Sequence, residues 1–225
     1  MYPLQTLSPF SQRIGAVLLT VLAGASCRTA AGSGPQIMQP GAPGESTRVI
    51  SAEKAVDLSK VQHTPADVKF MQGMIGHHAQ AVDMVALLKS RTAREDMRLL
   101  GLRIELSQED EIRMMQRWLE VRGQEIPGPH AMHAHGATLM PGMLTEEEMA
   151  RLAEAKGAEF DRLFLEGMIK HHGGALTMVQ ELFATAGAGQ EVEIFSFAAD
   201  VDADQRMEID RMGAMLNAIA KERQQ

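Results

Sequence analysis

The chain has 225 residues and a formal net charge of −7, so it carries no basic footprint for nucleic acid or for anionic lipid headgroups. Its hydrophobic content of 45% suits one globular core with appendages. Seventeen methionines stand against one tryptophan and one tyrosine, and the lone cysteine excludes an intramolecular disulfide framework.

Arg13 is the only charge ahead of an apolar run from Ile14 to Ala25. That run is too short for a membrane span and has the length of a signal-peptide core. It ends in Leu22-Ala23-Gly24-Ala25-Ser26-Cys27, which resembles a lipoprotein cleavage box, except that Gly24 stands where such boxes usually carry Leu. Residues 1–27 are therefore expected to be a signal and lipoprotein segment. Export would place the protein in the periplasm or cell envelope, with lipidation at Cys27 as its membrane anchor. Ordinary signal cleavage near Ala31 and an unprocessed thiol are the competing readings. Residues 28–63, rich in Gly, Pro, Ser and Ala, read as a flexible linker with too little apolar periodicity to pack.

The globular domain is expected over 64–225. Thr64, Pro65 and Asp67 supply an N-cap, a proline at the first helical position and an acid at the third, opening a long helix that reaches about Ser90. Thr92 with Glu95 repeats the capping signal and opens a second helix ending near Gly123, which closes the first half, 64–123. Residues 124–144 form a His/Met-rich crossover, punctuated by Pro127, Gly128, Pro129, Pro141 and Gly142. Thr145 with Glu148 caps a short helix to about Lys156. The third long helix covers about 158–186, and the fourth about 190–220 after Gly187-Ala188-Gly189, so the second half is 145–225. No stretch reads as a convincing strand. The predicted architecture is all-α: a four-helix bundle of two repeated helical hairpins joined by a long crossover, an architecture of which ferritin-like bundles are one class.

The chemistry lies in an internal repeat. Phe70–Val85 reads FMQGMIGHHAQAVDMV and Phe164–Val179 reads FLEGMIKHHGGALTMV, offset by 94 residues. At helical spacing Phe70, Met74, His77, Ala81, Met84 and Leu88 share one inward stripe, with His78 at its edge. Phe164, Met168, His171, Ala175, Met178 and Leu182 do the same in the second copy, with His172 at the edge. The partner helices repeat Gln108-x-x-Glu111-Ile112-x-x-Met115 as Gln205-x-x-Glu208-Ile209-x-x-Met212. Antiparallel packing brings these mid-helix positions to one level.

The candidate metal ligands are therefore His77, His78, Met74, Met84, Glu111 and Met115 in one half. Their counterparts in the other are His171, His172, Met168, Met178, Glu208 and Met212. His130, Met132, His133 and His135 of the crossover form an auxiliary metal-capture candidate, and a solvated linker is its bland alternative. A mid-stripe Met is core packing more often than a ligand, and an inward His can be a hydrogen-bonded core residue. The recurrence of His-His flanked by Met in both halves favours metal.

The paired MIxHHxxAxxM segments, the QxxEIxxMxxWL pattern from Gln108 to Leu119, and Met140–Phe164 (MPGMLTEEEMARLAEAKGAEFDRLF) resemble the bacterial family called domain of unknown function 305. The resemblance runs from Thr64 nearly to the C-terminus, departing where Met215-Leu216 replaces Trp-Leu. It implies a ferritin-like bundle that is often secreted, and some members resemble CopM-type proteins that bind copper in the periplasm.

Ligand softness points the same way. Thioether sulfur prefers Cu(I) and imidazole accepts Cu(I), Cu(II) and zinc, so copper in either oxidation state is the expected cofactor, ahead of iron or zinc. A ferritin-type di-iron site needs Glu-x-x-His, and the residues three before His77 and His171 are Met74 and Met168. No nucleophile–base constellation or phosphate-binding glycine loop is present, which favours a binding protein over an enzyme. The expected function is copper binding, sequestration or homeostasis. A ferritin-like metal-dependent oxidase and a metal-free structural or partner-binding bundle are the alternatives. The expected partners are metal ions and, through the lipid anchor, the membrane; homo-oligomerisation is left open.

Overall fold

The computed structural model describes residues 36–39, 46–57, 61–128 and 139–222. Cys27 and the crossover residues His130, Met132, His133 and His135 lie outside the described residues. The chain divides into two units, Met1–Val56 and Asp57–Gln225.

In the first unit, β1 (Ile37–Gln39) pairs antiparallel with β2 (Arg48–Ile50), Ile37 opposite Ile50. The single-turn helix α1 (Ala52–Ala55) follows, capped by the Ser51 hydroxyl, which accepts from the Lys54 amide at 3.3 Å. This corrects the expectation that no stretch of the chain forms a strand. Ile37, Val49 and Ile50 are β-branched and hold a three-residue ladder without a core, and Ile37 and Val49 stay exposed.

The second unit is helical: α2 (Pro65–Arg91), α3 (Glu95–Val121), α4 (Glu146–Glu154), α5 (Gly157–Ala184) and α6 (Val192–Glu222). The Thr64 hydroxyl accepts from the Asp67 amide at 3.2 Å, and Asp67 Oδ2 accepts from the Thr64 amide at 2.6 Å, a reciprocal capping box. The α3 C-terminus closes on Gly123 at φ 62°: Gln124 N–H donates to the Leu119 carbonyl and Gly123 N–H to that of Glu120, the paired bonds of a Schellman motif. The α3 start departs from expectation. Arg94 is its N-cap, with no side-chain cap, because the Thr92 hydroxyl is taken up inside the hairpin turn, where it accepts from the Arg94 amide at 3.0 Å. Thr145 and Glu148 do form the expected box at the start of α4. Thr145→Ala is expected to cost about 1 kcal/mol in denaturant unfolding.

Two apolar clusters show how the helices run. One gathers Phe70, Met74 and Ile75 of α2, Met115 and Trp118 of α3, Met178 and Leu182 of α5, and Ile194 and Val201 of α6. The other gathers Met84 and Leu88 of α2, Met97 and Ile104 of α3, Phe160, Phe164 and Met168 of α5, and Met212 and Ile219 of α6. Helices α2 and α6 thus run from the first cluster to the second, and α3 and α5 run the opposite way. Because α3 and α5 are parallel, the chain between them must travel the length of the bundle. Met140 packs against the first cluster, while Leu144 and Leu152 join the second. This is the four-helix bundle of two hairpins with a long crossover that the sequence predicts.

Two buried aspartates tie the hairpins together at corresponding places. Asp67 of α2 accepts from Gly189 N–H in the α5–α6 turn at 2.7 Å. Its counterpart Asp161 of α5 is hydrogen-bonded to Thr92 in the α2–α3 turn, and burial holds its carboxyl above the usual range.

Candidate metal centre

Between the two apolar clusters every long helix contributes polar side chains to one layer: His77 and His78, Gln108 and Glu111, His171 and His172, Gln205 and Glu208. All but Glu111 are buried. The repeat places them there, since each polar pair occupies the middle of an otherwise apolar stripe. Their burial exceeds expectation at His78 and His172, which helical angles put at the edge. Both are 0% exposed because a carboxylate from the paired helix closes over each ring.

The four imidazoles share one bonding pattern. His77 Nε2 donates to the Pro141 carbonyl at 3.0 Å, and His171 Nε2 donates to the His77 carbonyl at 2.9 Å. A carbonyl can only accept, so both rings carry their proton on Nε2 when neutral. His78 Nε2 meets Glu111 Oε2 at 2.5 Å, and His172 Nε2 meets Glu208 Oε2 at 2.6 Å. In all four rings Nδ1 is buried with no hydrogen-bond partner among the described residues, as are the side-chain oxygens of Gln108 and Gln205. The His77 and His171 rings lie face to face, centroids 3.9 Å apart and tilted by 36°; His77 is 6.3 Å from His78, and His171 is 6.2 Å from His172.

Burial, followed by the neighbouring His78 charge, pushes the His77 pKa down to about 3. Burial and then His77 hold His171 well below the ordinary histidine range. Both rings are therefore neutral at physiological pH, the form that offers an imidazole lone pair to a metal.

The two halves differ electrostatically. Glu208 also faces the Arg103 guanidinium at 3.5 Å, whereas Glu111 accepts from the Ser107 hydroxyl at 3.3 Å. Glu111 lines a cleft of about 420 Å³ between α3 and α6 with Asp110, Asp200 and Asp204. Burial and the charges of Glu111 and Glu208 hold the Asp204 carboxyl above its usual range.

The methionine candidates fall on either side of the histidine layer. Met74, Met115 and Met178 belong to the first cluster, and Met84, Met168 and Met212 to the second. A β-carbon on Gly73 would lie 3.4 Å from the Met178 methyl, and one on Gly167 would lie 3.3 Å from the Met84 methyl. The repeat thus interlocks Met and Gly reciprocally across α2 and α5. Among the described residues no three His, Cys, Asp or Glu side chains converge as a ready-made metal site. The layer instead presents imidazole nitrogens without hydrogen-bond partners between two Met-rich clusters, a donor set that fits a soft ion.

Sequence reasoning missed Arg103, Gln80 and the Pro141 carbonyl. Gln80 carried a legible signal, because it is the place where the first copy of the repeat has a long polar side chain and the second has Gly174.

Comparisons agree with this architecture. A solved DUF305 fragment from Deinococcus radiodurans is 34% identical over 69% of this chain and 98% of its own, with a TM-score of 0.60. CopM in the Cu(II)-bound form is 27% identical over 68% of this chain and 96% of its own, TM-score 0.56. CopM in the Cu(I)-bound form is 26% identical over 70% and 98%, TM-score 0.53. No curated protein matches the chain. The family model described as domain of unknown function (DUF305) matches residues 67–216, which contain the whole repeat and the crossover between its copies, and the chain belongs to that family.

Proposed function

We propose that this protein binds copper in the cell envelope, through the histidine layer at the centre of the bundle. The observation that carries the reading is the bonding pattern of four buried imidazoles. Each has Nε2 engaged by a carbonyl or carboxylate and Nδ1 without a partner among the described residues. Metal-ligating histidines are characteristically held this way, since the oxygen on one nitrogen orients the ring and raises the basicity of the other. Buried polar atoms are otherwise almost always hydrogen-bonded, so four such nitrogens in one layer call for a ligand.

His77 and His171 would supply the central nitrogen donors, with His78 and His172 beside them. Met74 and Met168, one turn away on the same stripes, are the nearest thioethers in sequence, and Met84, Met115, Met178 and Met212 provide the polarizable surroundings. Glu111 and Glu208 act by orienting His78 and His172. Copper bound there would be sequestered from water and thiols. The CopM structures, solved with Cu(II) and Cu(I), support the choice of ion. The leader and Cys27 support export with a lipid anchor.

The test is a competition titration under reducing conditions, joined to metal analysis of protein purified from the cell envelope without added metal. Cu(I) is expected to be retained against an equal concentration of Zn, which gains little from thioether sulfur. Displacement of Cu(I) by Zn would remove the soft-ligand reading. Protein without metal that also fails to take up Cu(I) would leave a structural bundle, and iron would favour the oxidase alternative.

A further inference from the structure

The crossover is fastened to the histidine layer at more points than a connection requires. Gln80 sits one turn beyond His77 on α2 and is 1% exposed. Its amide nitrogen donates to the Leu144 carbonyl at 2.9 Å, and its amide oxygen accepts from Leu144 N–H at 2.7 Å. Both backbone groups of one crossover residue are thus held by a single side chain. Three residues earlier, the Pro141 carbonyl accepts the His77 Nε2 proton. Between them Gly142 adopts φ 74°, a left-handed turn in which a β-carbon would lie 2.7 Å from Gly174 Cα. At Gly174, the repeat counterpart of Gln80, a β-carbon would collide with the Pro141 carbonyl. The two unlike residues at equivalent places form one device. Gln80 grips the strap from α2, and Gly174 leaves room for it on α5.

Among the described residues His171 has no such arrangement. Its Nε2–H goes to the His77 carbonyl, which belongs to a helix and needs no strap. The two central imidazoles are therefore oriented by different means, although the repeat makes them equivalent in sequence.

We propose that Gln80 is a positioning residue for His77. By clamping Leu144 it holds the Pro141 carbonyl against His77 Nε2, which keeps the proton on that nitrogen and leaves Nδ1 as the ligand atom. The tautomer follows from hydrogen-bond geometry, and its consequence for metal rests on the copper reading above. Gln80 touches no metal in this scheme. Its effect reaches the ligand through the backbone of the crossover, as outer-shell partners of metal-binding histidines do.

The experiment uses the full chain, with ¹⁵N-labelled histidine, in apo and Cu(I)-loaded forms. In the wild type, His77 and His171 are both expected as the Nε2–H tautomer. Gln80→Leu keeps helix propensity and most of the buried volume, adds no metal ligand, and loses both amide bonds. It is expected to convert the His77 signal to a mixture of tautomers, leave His171 unchanged, and weaken Cu(I) binding by about 10–100-fold. Gly174→Ala reaches the same carbonyl from the opposite helix and is expected to give the same signature with Gln80 intact. It keeps the test decisive if Gln80→Leu does not fold. An unchanged His77 tautomer in either folded variant would overturn the positioning role. A shifted tautomer with undiminished Cu(I) affinity would support the clamp and overturn the copper reading of His77, so the two failures are distinguishable.

Discussion

Replacing His77 and His171 together by Leu is expected to abolish high-affinity copper binding. Each single replacement should cost more than the roughly 100-fold that marks the loss of an orienting partner. The two rings lie against each other across the two hairpins, so the double variant removes both members of that contact. The helices should survive, because Leu is a good helix former of comparable inward volume. Apo stability should fall by about 1–3 kcal/mol at the His77 site, where the Pro141 carbonyl loses its donor. The loss at the His171 site should be smaller, because the His77 carbonyl lies within a helical ladder. Copper competition and thermal unfolding by circular dichroism check the two parts. Unchanged copper affinity with a lowered melting temperature would retire the metal reading and leave the histidines as structural residues.

Acidification is expected to destabilise the apo protein strongly. The unfolded chain protonates His77 near pH 6.5, whereas burial keeps the folded ring neutral down to about 3. Between those values the unfolded state binds more protons, so stability rises with pH. The His77 contribution is complete above about 6.5 and is lost as pH falls towards 3. At 1.36 kcal/mol per pKa unit the full loss is about 5 kcal/mol, a large part of a typical domain's stability. His171 is shifted in the same direction and adds to it. Asp161 and Asp204 act in opposition, because their raised carboxyl pKa values favour the folded state as they protonate. Urea unfolding at pH 7, 5 and 4 measures the slope. The His77→Leu, His171→Leu double variant should show a much flatter dependence, and an equally steep one would assign the acid sensitivity to other groups.

Much of the bundle is legible in the sequence, for local reasons. The Thr64 and Thr145 caps act within three residues of themselves, so their sequence signals survive folding unchanged. Thr92 failed as an N-cap because its hydroxyl was claimed inside a turn that the capping pattern does not describe. The ribbon of β1 and β2 escapes the sequence because each strand is three residues long, too short to show a burial periodicity. The layer was foreseen in composition, since His, Gln and Glu recur at matching helical positions. The depth of His78 and His172 was not, because a helical wheel knows nothing of the carboxylate that a neighbouring helix brings over the ring.

The long helices, the duplication, the level at which the polar residues meet and the softness of the side chains around them are all legible in the order of residues. All of these follow from periodicity and residue chemistry along one strand of chain. Tertiary packing alone settles which nitrogen of each imidazole is bonded and which is left without a hydrogen-bond partner among the described residues. That choice rests on oxygens far away in sequence: Pro141 for His77, the His77 carbonyl for His171, Glu111 for His78 and Glu208 for His172. It also broke the symmetry of the repeat. Among the described residues the crossover meets His77 through the Pro141 carbonyl, whereas His171 is met by the His77 carbonyl of α2. Two copies of one motif must therefore fold into unequal halves.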